Sequence, residues 1–587
     1  MRILSGTLLI AALVCTGPAI AQTGASLSAD ETFKAIYEKE WEWRKQQFPG
    51  LEDDKESKQR VSTLPAVDAA ARRERLKVWN GVIVELDALP LENLSATERI
   101  NYSVYRPQIE NQIAEIEFAS YQMPFNSDSS FWSNLGFLTR KPLRTVEAAE
   151  DYISQLKDIP RYFDEQIVNM RAGLKRGFSV PRAVLPGRDI SIASVAELTD
   201  PADSEFYGPL KKLPASMDAA TRERLQAEAL AAIRNQVIPA YANLLKFFRK
   251  EYMVKARKSL AAESMPNGKA WYRQQIHEYT TLDLSPEEIH TIGLSEVARI
   301  QAEMLETMAE AGFEGSFEEF LVFLRTDPQF YPKTPEELLM RAAWISKQVD
   351  GKLAQFFGLL PRARFSIEPV PADIAPFWTA GRGGPTTYWL NTYDLPSRPL
   401  YNLPALTLHE SAPGHSFQLS LADEQTGQPA FRRNGYISAY GEGWGLYVEK
   451  LGIEMDIYTT PYENFGRLTY EMWRACRLVI DTGVHHKGWT REQALAYLRD
   501  HTALSEHEIN TEVDRYISWP AQALSYKLGE IRIVALRKQA ESELGENFDI
   551  RAFHDAVLAQ GSVPLPVLEQ QIQQFIATSK AASEKPE

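Results

Sequence analysis

Through most of the chain apolar residues recur at three- and four-residue spacing, the period of a helix with one buried face. Residues 29–47 carry Phe33, Ile36, Tyr37, Trp41 and Trp43 in this pattern, with Ser28 or Asp30 placed to cap the start. Comparable runs occupy 65–89, 96–118, 146–175 and 218–257, and their charged faces read as solvated. Ser285-Pro286-Glu287-Glu288 then opens a helix, with Ser as cap and Pro in the first turn, that runs to about Gly312. Helical patterns at 317–325 and 335–357 follow. Two stretches interrupt the series: 121–139, rich in Ser, Asn, Phe and Trp, and 177–207, with several Pro and Gly. Loops of this length line a cleft or pack between lobes.

Near Arg362 the period changes. Residues 363–370 alternate and 386–391 are rich in β-branched and aromatic side chains, so both predict short strands. The Gly-rich turn 379–385 lies between them. It reads either as a peptide-binding edge, to which an extended substrate would add as a strand, or as a surface hairpin. The whole pattern predicts a mostly α protein: one large helical body, read as two lobes around a cleft, with a small β element before residue 403. No Gly/Ser- or Pro-rich linker divides 22–587, which therefore reads as a single domain, with an N-terminal lobe over about 22–360 and a site region over about 361–587.

That site region is organised around HESAPGH at 409–415. His409 and His415 flank Glu410, the wording of many zinc hydrolases, in which two imidazoles hold the metal and the Glu handles the proton of the attacking water. The common form spaces the histidines four apart; here they are six apart. On an unbroken helix His415 would sit about 120° around from His409, too far to share an ion. Pro413 disfavours helical geometry at Ala412 and Gly414 admits unusual dihedrals, so a helix opened at Pro-Gly would return His415 to the metal. Apolar Leu403, Leu406 and Leu408 lead in without a charge, so the group reads as buried, and a metal is the partner that offsets its burial.

A catalytic zinc takes a third protein ligand. Residues 440–449 form a helical pattern seeded with Gly441, Gly443 and Gly445, each costing about 1 kcal/mol in a helix, which implies close approach to another backbone. Glu442 is the expected third ligand, with Glu449, seven residues on and on the same face, as competitor or as partner of a ligand His. Peptide hydrolysis also needs an oxyanion donor. Tyr526 is the first candidate, His485 the second and Tyr516 the third, each of which could equally be a hydrogen-bonded core group. Arg474, Arg477 and Arg515 lie in the same region and either pair structurally or grip a substrate carboxylate. His277-Glu278 has no second His at a useful distance and is set aside.

Composition narrows the function. Residues 1–21 read as a secretory signal: Arg2, an apolar run from Ile3 to Val14, and Ala19-Ile20-Ala21 as the cleavage site. Cys15 follows Val14 where a lipid-attachment box wants a small residue, so soluble export to the periplasm or medium is favoured over anchoring. Without the leader Cys476 is the only cysteine and no intramolecular disulfide can form. No later apolar run approaches the ~20 residues of a membrane span. Loss of Arg2 makes the formal charge of −14 one unit more negative, which argues against a nucleic-acid partner. Nothing in the pattern sets the oligomeric state.

HESAPGH, then YGEGW-x2-Y-x-E (440–449), RLVIDTGVHHKGW (477–489) and RY-x3-P-x-QALSYKLG (515–529) resemble a large bacterial family of secreted or lipoprotein-type proteins of unassigned function. The resemblance runs from about Tyr279 to Gly529, with a weaker echo at 176–181. That family is regarded as related to the helical zinc metallopeptidases of the thimet oligopeptidase and neurolysin type. The resemblance implies a mostly α, large two-lobed helical body around a deep channel, with zinc on His409, His415 and Glu442 and Glu410 as base. Ala521 departs from it, standing where Gly is expected. The function expected is therefore an exported zinc peptidase that hydrolyses peptides rather than folded proteins. A zinc hydrolase of non-peptide amides or esters, and a non-enzymatic peptide- or metal-binding protein, are the alternatives.

Overall fold

A computed structural model describes residues 27–51, 60–372 and 374–583. The expected signal over 1–21, with Cys15, falls outside them. The fold is mostly α. Ala29–Gln47, Ala69–Asp87, Ala96–Glu117, Val146–Arg176, Pro286–Glu310 and Phe317–Thr326 form where periodicity placed them. Ser28 and Ser285 close reciprocal caps: each hydroxyl accepts an N–H from Glu31 or Glu288 (3.2 and 3.3 Å), whose carboxylate accepts the serine N–H at 2.8 Å. Asp30 accepts the Ser95 N–H instead (2.8 Å), joining the first helix to the start of Ala96–Glu117.

Two predicted runs are subdivided. The stretch 218–257 forms Ala219–Ala232 and Ile238–Phe247, separated by a wide π turn at Ile233–Val237 just ahead of Pro239. Pro239 brings no N–H, and a wide turn is a common way to absorb that loss within a helix. The run 335–357 stops at Asp350 before Gly351, and only Leu353–Phe356 resumes it.

Both predicted strands form, as β1 (Ser366–Pro369) and β3 (Thr387–Leu390), with a third, β2 (Gly381–Gly383), inside the Gly-rich turn. The order is β1-β3-β2, β1 parallel and β2 antiparallel to β3, with Arg382 opposite Trp389. β2 is an edge strand, and it lies against the helix Leu403–Glu410. Of the two long interruptions, 121–139 sends Asp128 into the cleft described below, whereas 177–207 buries Ile192, Val195 and Phe206 and packs over Ile238–Phe247.

Pro461–His485 is the central helix, buried on every side from Phe465 onward. A polar stripe nevertheless runs down it at three- and four-residue steps: Arg467, Glu471, Arg474, Arg477, Asp481, His485. Each member has a partner. Arg467 pairs with Glu471 (2.9 Å), Glu471 with the buried ammonium of Lys527 (2.9 Å), and Arg477 with Glu512 (2.8 Å). Lys527 also meets Glu296 and Glu530, at 3.0 and 2.8 Å. Each of these buried charges has an opposite charge beside it, without which burial would be too costly. The buried Cys476 on the same helix has its thiol pushed up by burial, which keeps it protonated and unreactive.

Asp481 accepts from Tyr272 Oη (2.6 Å) and from the Ala521 N–H (3.0 Å). Ala521 has φ +70°, the left-handed region in which Gly is at ease. The departure from the family pattern therefore falls where a Cβ costs backbone energy, and the bond to Asp481 helps hold that turn. Burial raises the Asp481 carboxyl to about 7, outweighing the lowering by these two bonds. The native state then holds a proton that the unfolded chain releases near pH ~3.9. Its contribution to stability is full below that pH and is lost as pH rises through about 7. Asp481→Asn should gain on the wild type as pH rises from 5 to 8, read as the difference between their melting temperatures. A difference that stays flat, or turns against the variant, contradicts this account.

Among the described residues no helix is long and apolar enough to cross a membrane.

Candidate metal centre

The helix Leu403–Glu410 ends at Ser411, the chain turns through Ala412-Pro413-Gly414, and a second helix, His415–Asp423, begins. A Cβ at Gly414 would lie 1.9 Å from the His409 carbonyl oxygen, so only glycine lets the turn fold so tightly onto the helix it leaves. The turn returns His415 to His409: their ring centroids are 4.8 Å apart with planes at 85°.

The helix Ser438–Glu454 supplies the carboxylates. Glu442 Oε2 lies 3.4 Å from His409 Nε2 and 3.3 Å from His415 Nε2. Around a tetrahedral zinc with Zn–N near 2.05 Å, neighbouring ligand atoms stand about 3.3–3.4 Å apart, so the donor set has the size of such a site. Glu449 Oε1 takes the other nitrogen of His409, Nδ1, at 2.7 Å, and also meets Arg474 at 3.4 Å. A carboxylate on the far nitrogen fixes the tautomer that leaves Nε2 free for an ion. The structure places Glu442 beside both imidazoles and Glu449 behind His409. Burial opposes charge on His409, yet hydrogen bonds to Glu442 and Glu449 push it up to about 10.

Glycines make this convergence possible. A Cβ at Gly445 would come within 2.6 Å of the His409 ring, and one at Gly443 within 2.6 Å of the Gly529 backbone. The approach to another backbone expected of this helix occurs at Gly443; Gly445 instead makes room for the imidazole. The contact at Gly443 also seats Ser438–Glu454 on Ser525–Leu544, the helix that carries Tyr526.

Glu410 lies with both imidazoles in a group whose ligating atoms are all within 4.8 Å of one another. Its Oε2 accepts the Gly383 N–H from β2 at 2.6 Å. Gly383 is on the unpaired side of β2, because Ala380 and Gly384 make the bonds to β3. One carboxylate oxygen is thereby held, and the other stays available to a reactant. Glu442 stands nearly equidistant from the two imidazoles while Glu410 is tied to the strand, so Glu442 is the candidate ligand and Glu410 the candidate base.

The centre opens into a cleft of about 610 Å³ lined from both halves of the chain, by Trp41 and Gln108 as well as by His409, Glu410, His415, Glu442 and Tyr526. The Tyr526 ring lies 19° from parallel to that of His409, centroids 6.4 Å apart. Its hydroxyl accepts from Arg515 Nη2 (3.2 Å), which leaves its own proton free to donate into the cleft. His485 is a correction. It is fully buried outside the cleft, its Nδ1 accepts the Ala262 N–H (3.1 Å), its Nε2 donates to the Tyr516 carbonyl (2.8 Å), and burial pushes its pKa down to about 3. Tyr516 is likewise a core group, its hydroxyl accepting from Trp473 and Arg477 at 2.7 and 3.1 Å. His277 is exposed, while Glu278 lines the cleft and accepts from Gln274 and Gln275 (both 3.1 Å).

One site residue escaped the sequence reading. Tyr436, in the loop before Ser438–Glu454, donates its hydroxyl to Glu442 Oε1 at 3.0 Å. Tyr436 is half exposed, but desolvation at its hydroxyl end, which packs against Gly441, and then the Glu442 carboxylate raise its pKa well above the usual range and keep it a donor. The one hint in the chain is Gly441: a Cβ there would lie 2.4 Å from the Tyr436 hydroxyl, so the first glycine of the 440–449 run makes room for that phenol.

Residues 48–572 match the family described as bacterial protein of unknown function, DUF885. The chain belongs to this family. A candidate lipoprotein from Colwellia psychrerythraea has a similar structure, with 27% identity and a TM-score of 0.86 over 94% of this chain and 100% of its own. A candidate lipoprotein of unknown function from Shewanella oneidensis shares the fold at 17% identity, TM-score 0.69, over 93% of this chain and 100% of its own. No curated protein matches the chain.

Proposed function

We propose that the chain is an exported, zinc-dependent peptidase, allied to the thimet oligopeptidase and neurolysin type. The observation that carries this reading is the position of the Glu442 carboxylate, equidistant from two imidazoles, with Glu410 beside it and one of its oxygens uncommitted. Export rests on the leader pattern and on the lipoprotein descriptions of the two similar structures.

His409, His415 and Glu442 would hold the ion, which when bound polarises the scissile carbonyl and eases deprotonation of a water. The free oxygen of Glu410 takes that proton as the water oxygen bonds to the carbonyl carbon. Glu410 then returns it to the amine nitrogen as the C–N bond breaks, giving a carboxylate and an amine. The edge strand β2 offers the unpaired groups of Gly381 beside the base, suited to an extended backbone. Tyr526 donates to the developing oxyanion, because Arg515 occupies its lone pair and leaves its proton unspent. Tyr436 has spent its proton on Glu442, so it orients a ligand.

The two tyrosines should separate experimentally. Tyr526→Phe should lower kcat by about 10²-fold or more with KM and zinc content little changed. Tyr436→Phe should instead weaken zinc retention by about 10- to 100-fold, seen by titration with a chelator. Loss of metal in the first variant, or of kcat alone in the second, would exchange the roles.

The reading itself is tested by elemental analysis of the purified protein together with digestion of a peptide library. Stoichiometric zinc with peptide cleavage is expected. Cleavage confined to non-peptide amides or esters, or none at all in the zinc-loaded protein, overturns it.

A further inference from the structure

Three guanidinium groups surround Tyr526. Arg477 stands 4.2 Å over its ring, Arg474 stands 6.0 Å from the ring centroid, and Arg515 donates to its hydroxyl. All three line the cleft, although Arg474 and Arg477 are only 3% and 1% exposed. Their counter-charges fall short. Glu512 faces both Arg477 (2.8 Å) and Arg515 (3.5 Å), and Glu449 faces Arg474 (3.4 Å). Asp128, the other acid near Arg515, is paired with Arg382 at 3.4 Å. The three guanidinium groups of the wall thus meet two carboxylates, Glu512 and Glu449, and Glu449 is also taken by His409.

Hydrogen bonding is incomplete in the same place. Arg477 Nη1, Arg474 Nε and Arg515 Nε are buried N–H groups without an acceptor. Single unpaired guanidinium N–H groups occur elsewhere, at Arg75, Arg182, Arg398 and Arg432, but here three gather beside one phenol in a cleft wall, which points to an acceptor supplied from outside. The acceptor that best offsets an excess guanidinium charge while taking several N–H groups at once is a carboxylate. Behind the wall lie Tyr516 and Glu512, both fully buried and outside the cleft lining, so a chain that reaches it goes no further.

We infer that Arg477, Arg515 and Arg474 form a subsite for the C-terminal carboxylate of the substrate, so that the enzyme trims peptides from their C-terminal end. This rests on the peptidase reading and deepens it. With Tyr526 stacked between the guanidinium wall and His409, a carboxylate on the wall places a peptide bond close to its own chain end beside the metal centre. The substrate class is short peptides with a free C-terminus. An Asp or Glu side chain presents the same chemistry and is the competing source.

The test uses the full-length, zinc-loaded Glu410→Gln protein, so that binding is read without turnover. Its affinity is measured by calorimetry for N-acetyl-Ala-Ala-Phe-Ala, for the same peptide as a C-terminal amide, and for an amide with Glu in place of the last Ala. The free acid should bind about 10- to 100-fold more tightly than either amide. Adding Arg477→Lys or Arg515→Gln should erase most of that preference. Arg477→Lys keeps the charge opposite Glu512, and its melting temperature shows whether the fold survives; Arg515→Gln is a second, partly exposed position. Equal affinity for acid and amide, or a preference that survives both variants in folded protein, overturns the inference. A Glu-containing amide that binds like the acid reassigns the subsite to a side chain and also overturns it. In parallel, wild-type protein that cleaves acids and amides alike upholds the peptidase and rejects the subsite. Wild-type protein that discriminates in binding but cleaves nothing does the reverse.

Discussion

Zinc-loaded protein carrying Glu410→Gln is expected to hydrolyse peptides at least ~10²-fold more slowly than the wild type while keeping its zinc, its fold and its affinity for peptide. Gln has nearly the shape of Glu, and its amide oxygen can still accept the Gly383 N–H that holds Oε2 at 2.6 Å. It cannot accept a proton. Transition-state stabilisation by Tyr526 and the ion is untouched, so the loss measures the base alone. Single-turnover rates on the best library substrate, with zinc content determined on the same samples, decide the matter. Unchanged hydrolysis with zinc bound would remove Glu410 from the mechanism and favour a binding protein.

The second large effect concerns the ion. His415→Ala should reduce zinc from stoichiometric to near zero, and His409→Ala should do the same, with a limited change in melting temperature, because the large buried core around the central helix is not built on the ion. His415 is the cleaner test, since His409 also fills the space beside Gly445 and anchors Glu449. Glu442→Gln should follow the histidines. Glu449→Gln should cost only about 10- to 100-fold in zinc affinity, the usual effect of losing the partner behind a ligand imidazole. Full metal retained in both His variants sinks the centre. A Glu449 variant that loses zinc while a Glu442 variant keeps it would move the third ligand.

The helices and the His-Glu-Pro-Gly-His turn were legible because their causes are local. Caps such as Ser28 and Ser285 act over three residues, and the Pro413-Gly414 break acts over four. β2 was not, since Gly381-Arg382-Gly383 has no strand propensity and pairs only because β3 lies alongside. Glu442 and Glu449 share a helical face, and periodicity alone cannot say which faces Nε2 and which Nδ1 of His409. His485 and Tyr526 differ in role for the same kind of reason: each is a polar residue in a helix, and only tertiary packing gives one two backbone partners and the other an open cleft. Tyr436 lies in a loop with no period at all.

The tether between Gly383 and Glu410 has a genetic consequence. It is made by a main-chain N–H, which every residue except proline carries, so exchanging side chains at 383 cannot delete it directly. Position 383 would nonetheless score as intolerant, because a Cβ there lies 2.1 Å from the Glu410 carbonyl oxygen. A deep mutational map of this region would therefore register crowding at Gly383 and remain blind to the bond that aims the carboxylate.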